Sequence, residues 1–453
     1  MTALTFYGGV REIGGNKILL EDKGTEILLD FGESFTAGTD FFYEYLQPRG
    51  VCGAKDYFFF DMLPKVKGLY GREELKFTDL KYEKPEVEGL FVSHAHVDHI
   101  SHVGFLDESI PLYCGEATKT FMDAYRETTS SVDYGEREYR TFRSGRKIQK
   151  EIEPLTVEPV HVDHSIPAAY GYIIHTSGGA VVYTGDLRLH GPKSNMTEEF
   201  IKKAASSDPV AMICEGTRVG PDPRKNFTEE QVKEESGRIV SSAGKRLVLA
   251  CCYTRDIDRM NTLYTIAKEN DRIFAISLKA AYLLRKLKDD PKLKVPDVLR
   301  DENIQIYFKR KKSGEYNEKE YYMWERPFLE NSVKADDVRK NKSKYLLSMD
   351  FWSFAELIDI EPEPGTDFIH SMSEPFSEED LQKDVMDNWI AHFKLNRHQI
   401  HASGHASGPE IIEIINEVKP KKVFPVHTGH PEEFRVSKGI EVVNIEKGAA
   451  YQI

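Results

Sequence analysis

Cysteine is scarce in this chain: five occur among 453 residues, Cys52, Cys114, Cys214, Cys251 and Cys252. The number is odd, two are adjacent and no C-x-x-C is present. That argues against a disulfide framework or a cysteine-built zinc ribbon and fits a reducing cytosol. Long apolar runs are lacking too. The longest clean one, Leu247 to Tyr253, falls far short of the ~20 residues of a membrane helix. The opening MTALTFYGGV has neither a basic n-region nor an apolar h-region, so a soluble, cytoplasmic protein is expected. Positive charge is in deficit: 61 Lys+Arg against 74 Asp+Glu leave −13. As a bulk property this argues against a polyanionic partner such as nucleic acid. Disorder is excluded by 40% hydrophobic and 30% charged residues, and the length predicts two or three domains.

What the chain does have is, first, a series of short β-type runs. TALTFYGG, NKILLED, TEILLDFG, GLFVSHAH, LTVEPVHV, AYGYIIHT and AVVYTGD are apolar or β-branched and end on Gly, Asp or His. Between Phe35 and Glu88 an aromatic, charged stretch interrupts them and reads as an insertion at the edge of the first domain. From about Ser206 strands such as PVAMICEG, KRLVLACCY, RIFAIS and IQIYF alternate with helical patterns, the signature of a parallel α/β sheet. RHQIHASG, KVFPVHTG and EVVNIE then return to short strands, with the helical pattern PEIIEIINEV among them.

Histidine placement carries the chemistry. Ser93–His94–Ala95–His96–Val97–Asp98–His99 follows the apolar run GLFV, so four candidate metal ligands sit just past a strand end. A lone histidine is usually a packed or exposed side chain, but four potential ligands in six residues reverse that expectation. Imidazole with carboxylate suits zinc or a similar divalent ion. His94 and His96 share one face of an extended stretch, while Asp98 and His99 can curl toward a second centre. Three further candidates follow β-type runs: His164 in HVDHSIP, with His161 competing for the place, Asp186 in VVYTGDLRLHG and His427 in VFPVHTGH. Each alone is weak; together with the H-x-H-x-D-H run they could serve two metals.

HAHVDH, the later HS, TGD and the late VH resemble the metallo-β-lactamase pattern. The resemblance implies an α/β fold, an αββα sandwich with metal ligands on loops at one edge. It implies one ion on His94, His96, His164 and a bridging Asp186, and another on Asp98, His99, Asp186 and His427. His164 is favoured over His161 because Ser-Ile-Pro follows it. Asp30 in LLDFG matches an early aspartate that supports the metal loop. The long stretch after TGD resembles the β-CASP cap of nucleic-acid-processing enzymes. ICEGT places Glu215, SGHAS places His405 and PVHTG places His427 at that family's three motifs. GGVREIGGNKILLE, HSIP and SGHAS resemble ribonuclease J, in particular its archaeal relatives. Domains at 1–205 and 396–453 (metallo-β-lactamase) and 206–395 (β-CASP) are expected.

By this resemblance the chain is a zinc-dependent ribonuclease, a 5′→3′ exonuclease with endonuclease activity open, acting on single-stranded 5′-monophosphate RNA. Two divalent ions lower the pKa of water toward ~7 and supply the nucleophile. Asp98 orients it, and His405, paired with Glu215, is the candidate general acid. Ser403, Gly404, Ala406 and Ser407 are candidates to hold an RNA phosphate through small residues, backbone N–H groups and hydroxyls. Family members are often homodimers. The alternatives are a DNA-processing nuclease of the same superfamily, against which His427 weighs, a small-molecule hydrolase, against which the cap weighs, and a scaffold without metal, against which the full ligand set weighs.

Charge is uneven along the chain. Arg272–Lys344 holds 19 Lys+Arg against 12 Asp+Glu, a net +7, with Lys309, Arg310, Lys311 and Lys312 as its densest run and aromatics nearby. These four are the candidate RNA groove. Glu356–Asp387 holds 11 acids against Lys383, a net −10, and is expected to face away from RNA.

Overall fold

The computed structural model describes residues 1–43, 45–221, 224–373 and 381–453. The chain forms two compact units. The first comprises Met1–Leu189, Lys193–Arg224 and Gly404–Ile453, the second His190–Pro192 and Lys225–Ser403. Among the described residues no helix is long and apolar enough to cross a membrane.

Two sheets build the first unit. One contains Thr2–Gly8 (β1), Lys17–Asp22 (β2), Thr25–Phe31 (β3), Val87–Phe91 (β4), Leu112–Gly115 (β5) and Tyr139–Phe142 (β6), closed at its far edge by Ala450–Gln452 (β20), in the order β20-β1-β2-β3-β4-β5-β6. The other contains Thr156–His161 (β7), Tyr170–Thr176 (β8), Gly179–Tyr183 (β9), Ala211–Glu215 (β10), Lys422–Val426 (β18) and Glu441–Val442 (β19), in the order β19-β18-β10-β9-β8-β7. Period-2 alternation decides what each face meets. On β10, Ala211 and Ile213 enter a core shared with Leu4, Phe6, Leu29 and Phe91 of the first sheet. Met212 and Cys214 point the other way, onto Phe200 and Ala204 of the helix Ser194–Ser206 and Ile411 and Ile415 of the helix Gly408–Val418. Sheet on sheet with helices outside is the metallo-β-lactamase sandwich.

The aromatic stretch after Phe35 contains little regular structure beyond the helix Lys55–Phe59. Phe58 and Tyr70 are buried, with Tyr70 edge-on to Phe31 of β3, whereas Phe41, Tyr45 and Phe59 are exposed.

The second unit is a seven-stranded sheet of Val248–Cys251 (β11), Ile273–Ser277 (β12), Ile304–Tyr307 (β13), Ser332–Val333 (β14), Tyr345–Ser348 (β15), Asp367–His370 (β16) and Asn396–Gln399 (β17), in the order β14-β13-β12-β15-β11-β16-β17. Every pairing is parallel, and a core of its own is built on Leu247, Leu249, Leu347, Phe354 and Phe368.

Two expected boundaries move. Residues 206–224 stay with the first unit because β10 pairs with β9 and β18. Residues 396–403 belong to the second because β17 pairs with β16. An apolar strand pattern identifies a strand without telling which sheet completes its hydrogen bonds.

The charge map also changes. Arg310 forms an ion pair with Asp359, Arg339 with Glu361 at 3.1 Å and Lys342 with Glu363 at 3.2 Å, and the Tyr307 hydroxyl donates to Glu356 at 2.7 Å. Lys311 pairs with the buried Glu325 at 3.0 Å and Lys309 donates to the Trp352 carbonyl at 3.4 Å. The basic and acidic stretches thus neutralise one another in part within the second unit. Three of the four expected groove cations have partners in the second unit, though only Arg310 finds its partner in the acidic stretch. Residues 374–380 of the acidic stretch lie outside the described residues.

Candidate metal centre and active site

The histidine run leaves β4 and turns at once into the short helix Val97–Ile100, which swings Asp98 and His99 back over the sheet edge. The turn fits because Gly32, just after β3, has no side chain: a Cβ there would lie 1.8 Å from the Asp98 carbonyl oxygen. Two acidic and basic anchors adopt left-handed backbone that non-glycine residues rarely take, Asp30 at φ 54° and His427 at φ 53°. The His427 amide donates to the Gly9 carbonyl at 2.8 Å, tying the end of β18 to the loop after β1.

Ligand atoms of His94, His96, His164 and Asp186 lie within 4.8 Å of one another, as do those of Asp98, His99, Asp186 and His427, and those of Asp186, Glu215 and His405. Asp186 belongs to all three groups. His161 joins none; its ring stacks on Tyr170 at 4.3 Å.

Hydrogen bonds behind the rings set the tautomers. Ser93 Oγ gives its proton to Asp30 Oδ2 at 2.7 Å, so the His94 Nδ1–H donates to Ser93 Oγ at 3.0 Å and His94 Nε2 faces inward. His99 Nδ1 donates to Asp30 at 2.7 Å and His164 Nδ1 to the Gly404 carbonyl at 2.5 Å. Gly404 can approach this closely because its missing Cβ would meet His164 Cε1 at 2.8 Å. Inward-facing nitrogens therefore crowd together: His96 Nδ1 is 3.0 Å from both His94 Nε2 and His164 Nε2, and His99 Nε2 is 3.1 Å from Asp186 Oδ2. Lone pairs at such distances repel unless protons or a cation lie among them. Asp186 Oδ1 is buried with no hydrogen-bond partner among the described residues. Convergent lone pairs and an unpartnered buried carboxylate oxygen fit a divalent metal site.

Electrostatics separate the two groups of rings. Burial, with His99 beside it, holds His94 well below its ordinary pKa; burial and His405 push His164 down to about 4. Burial also opposes charge on His99 and His427, but Asp186 and Asp30 lift His99, and Asp186 and Asp98 lift His427 to about 9. Burial would raise Asp98 and Asp186, yet the charges of His99 and His427 keep both carboxylates below the usual range.

Glu215, fully buried at the end of β10, takes His405 Nδ1 at 3.0 and 3.2 Å on its two oxygens and the Leu187 amide at 2.8 Å. Burial would raise its pKa, but His405 keeps it below normal. The His405 side chain is 20% exposed, so the pair reaches solvent through the imidazole alone.

The expected phosphate loop is partly committed elsewhere. The Ala406 amide donates to the Leu187 carbonyl at 2.7 Å, and the Ser407 amide and hydroxyl both bond Glu410, capping the helix Gly408–Val418. The Ser403 carbonyl lies 2.9 Å from His190 Nε2 and the Gly404 carbonyl serves His164. Ala406 and Ser407 thus do not offer the N–H groups expected of them, because helix capping and strand-end pairing claim them first.

Several site residues had no sequence signal of their own. Tyr183 donates to Asp30 at 2.6 Å and accepts from Asn16 at 3.1 Å, bracing the carboxylate that orients His99. Thr217 stands between Glu215 and His427. Only its place two residues after Glu215 could have drawn attention.

A profile described as "Beta-lactamase superfamily domain" matches residues 60–247, and one described as "Zn-dependent metallo-hydrolase RNA specificity domain" matches residues 390–433. Ribonuclease J 2 of Streptococcus pyogenes is 20% identical over 97% of this chain and 72% of its own length, and ribonuclease J2 of Bacillus subtilis 23% over 97% and 71%. The chain is similar to the β-CASP ribonuclease J family over most of its length. Against ribonuclease J of Helicobacter pylori the match is 25% identical but spans 53% of this chain and about a third, 32%, of the relative. A crystal structure of a protein of unknown function from Enterococcus faecalis V583 superposes over 99% of both chains with TM-score 0.77 at 24% identity, which supports the fold.

Proposed function

We propose that this chain is a metal-dependent ribonuclease of the ribonuclease J type that hydrolyses RNA phosphodiester bonds, with two Zn2+ ions held by the two four-residue groups that share Asp186. The observation that carries the reading is the meeting of both groups and the Glu215–His405 pair at that one carboxylate. Bound divalent ions would supply a nucleophilic hydroxide at neutral pH and offset charge on the phosphate. The chain's own residues do the rest. Asp98 and Asp186 hold negative charge where cations are needed. Asp30, Ser93 and the Gly404 carbonyl keep His99, His94 and His164 turned inward. His405, with Nδ1 bound to Glu215, presents Nε2 to deliver a proton to the leaving oxygen. The similarity to ribonuclease J and to the RNA specificity profile at 390–433 supports RNA as the substrate class.

Single-stranded RNA carrying a 5′-monophosphate, degraded 5′→3′, is the substrate form we favour. End-labelled RNA of that kind, incubated with and without chelator and sized, tests it. Chelator-sensitive release of mononucleotides from the 5′ end is expected. Discrete internal fragments would replace the exonuclease assignment with an endonuclease one. Cleavage unaffected by chelator, or cleavage of matched DNA alone, would overturn the reading.

A further inference from the structure

We propose that Thr217 is a positioning residue whose single hydroxyl holds metal ligand His427 and the Glu215–His405 pair in register; the inference rests on the metallo-ribonuclease reading above. Thr217 is buried where the chain leaves β10. Its Oγ1 lies 2.8 Å from Glu215 Oε2 and 2.8 Å from His427 Nδ1, the latter 210 residues away in sequence. A longer approach, 3.5 Å, leads to the His427 carbonyl.

A hydroxyl has one proton to give. Ionised Glu215 can only accept, and at 2.8 Å it is a better acceptor than a carbonyl at 3.5 Å, so the proton goes to Oε2. Thr217 Oγ1 must then accept from His427, which requires the proton on Nδ1. His427 Nε2, 2.8 Å from Asp98 Oδ2 and 3.8 Å from Asp186 Oδ2, is thereby left as the ligand atom. At the other end, Glu215 also accepts from the Leu187 amide at 2.8 Å, the Thr217 amide at 3.3 Å and His405 Nδ1. It cannot rotate without surrendering Thr217. With Nδ1 pinned to it, His405 offers only Nε2 to a leaving group. One oxygen thus selects the tautomer of a metal ligand and the aim of the proton donor.

The test compares the full chain with Thr217→Val, which keeps the shape and removes the hydroxyl, and Thr217→Ser, which keeps the hydroxyl. Zn2+ affinity is read by competition with a chromophoric chelator, and kcat and KM on 5′-phosphorylated RNA. Thr217→Val is expected to weaken the more loosely held zinc about 10–100-fold and to lower kcat with KM little changed, and Thr217→Ser to restore both to within a few-fold. Wild-type affinity for both equivalents in Thr217→Val overturns the proposal, as does a Thr217→Ser protein no better than Thr217→Val, which would mark a packing role for the methyl group. Melting of the metal-free proteins checks the fold. Should the valine variant not fold, Thr217→Cys, a weak donor of similar volume, takes its place. If wild type binds zinc and cleaves no RNA, the ribonuclease reading falls while the zinc measurement still judges Thr217.

Discussion

Asp186 has one oxygen among five imidazoles and another with no hydrogen-bond partner among the described residues, an arrangement tolerable only with positive charge at hand. Asp186→Asn keeps the volume and removes the charge. We expect elemental analysis to show the loss of at least one metal equivalent per chain, and RNA cleavage to fall on the order of 100-fold or more. His405→Ala should behave differently: metal content unchanged, kcat lower by about 10²–10⁴. Loss of stoichiometric metal in that variant would make His405 a ligand rather than an acid. The placement of His94, His96, Asp98 and His99 at one sheet edge was legible because their spacing is local. The interplay of Thr217 with His427, or of Gly404 with His164, was not, since each contact joins residues more than two hundred positions apart and turns on a hydroxyl or a carbonyl that any residue of its type possesses.

Elements supply the rigidity those residues need. Lys17, on β2, is 2% exposed; its Nζ donates to the carbonyls of Gly32 and Gly15, which flank the loop beneath Asp98. Burial, against the pull of Glu12, pushes it down to about 7. In the unfolded chain its pKa is about 10.4, so between those values the unfolded state binds a proton the folded state does not. Stability should therefore rise with pH across that window, by at most about 1.4 kcal/mol per unit, and be lost as pH falls toward 7. Urea denaturation between pH 7 and 10 would show this slope for wild type and its absence in Lys17→Met. In the second unit, Lys311→Met would leave Glu325 buried without its ion-pair partner and should cost about 1–3 kcal/mol, seen as a lower denaturation midpoint. The strands themselves were readable from alternation; their sheet membership was not, as β10 and β17 demonstrate.

For the whole molecule, net charge proved a poor guide. Stretches of +7 and −10 seemed to promise a basic groove and a repelling surface, yet Arg310, Arg339 and Lys342 reach across to Asp359, Glu361 and Glu363. Replacing Lys309–Lys312 with serine should accordingly alter the salt dependence of RNA binding less than four free cations would, by well under four units of slope. Metal removal should act on one unit only. The two units have separate cores, so calorimetry is expected to show two transitions, with chelator lowering the one that belongs to the first unit. Saturation at a hundredfold above Kd is worth about 2.7 kcal/mol to that transition. A uniform shift of both would contradict the assignment.

The first unit is discontinuous: Gly404–Ile453 rejoins it only after all of Lys225–Ser403 has been laid down. On the ribosome, a nascent chain therefore displays His94, His96, His164 and Asp186 long before it contains His405, His427 or the Gly404 carbonyl that turns His164 inward. If the chain is the ribonuclease proposed above, it would be made beside messenger and ribosomal RNA with its proposed proton donor and last metal ligand still missing. On that reading, the order of the chain would postpone competence until synthesis has passed the intervening unit.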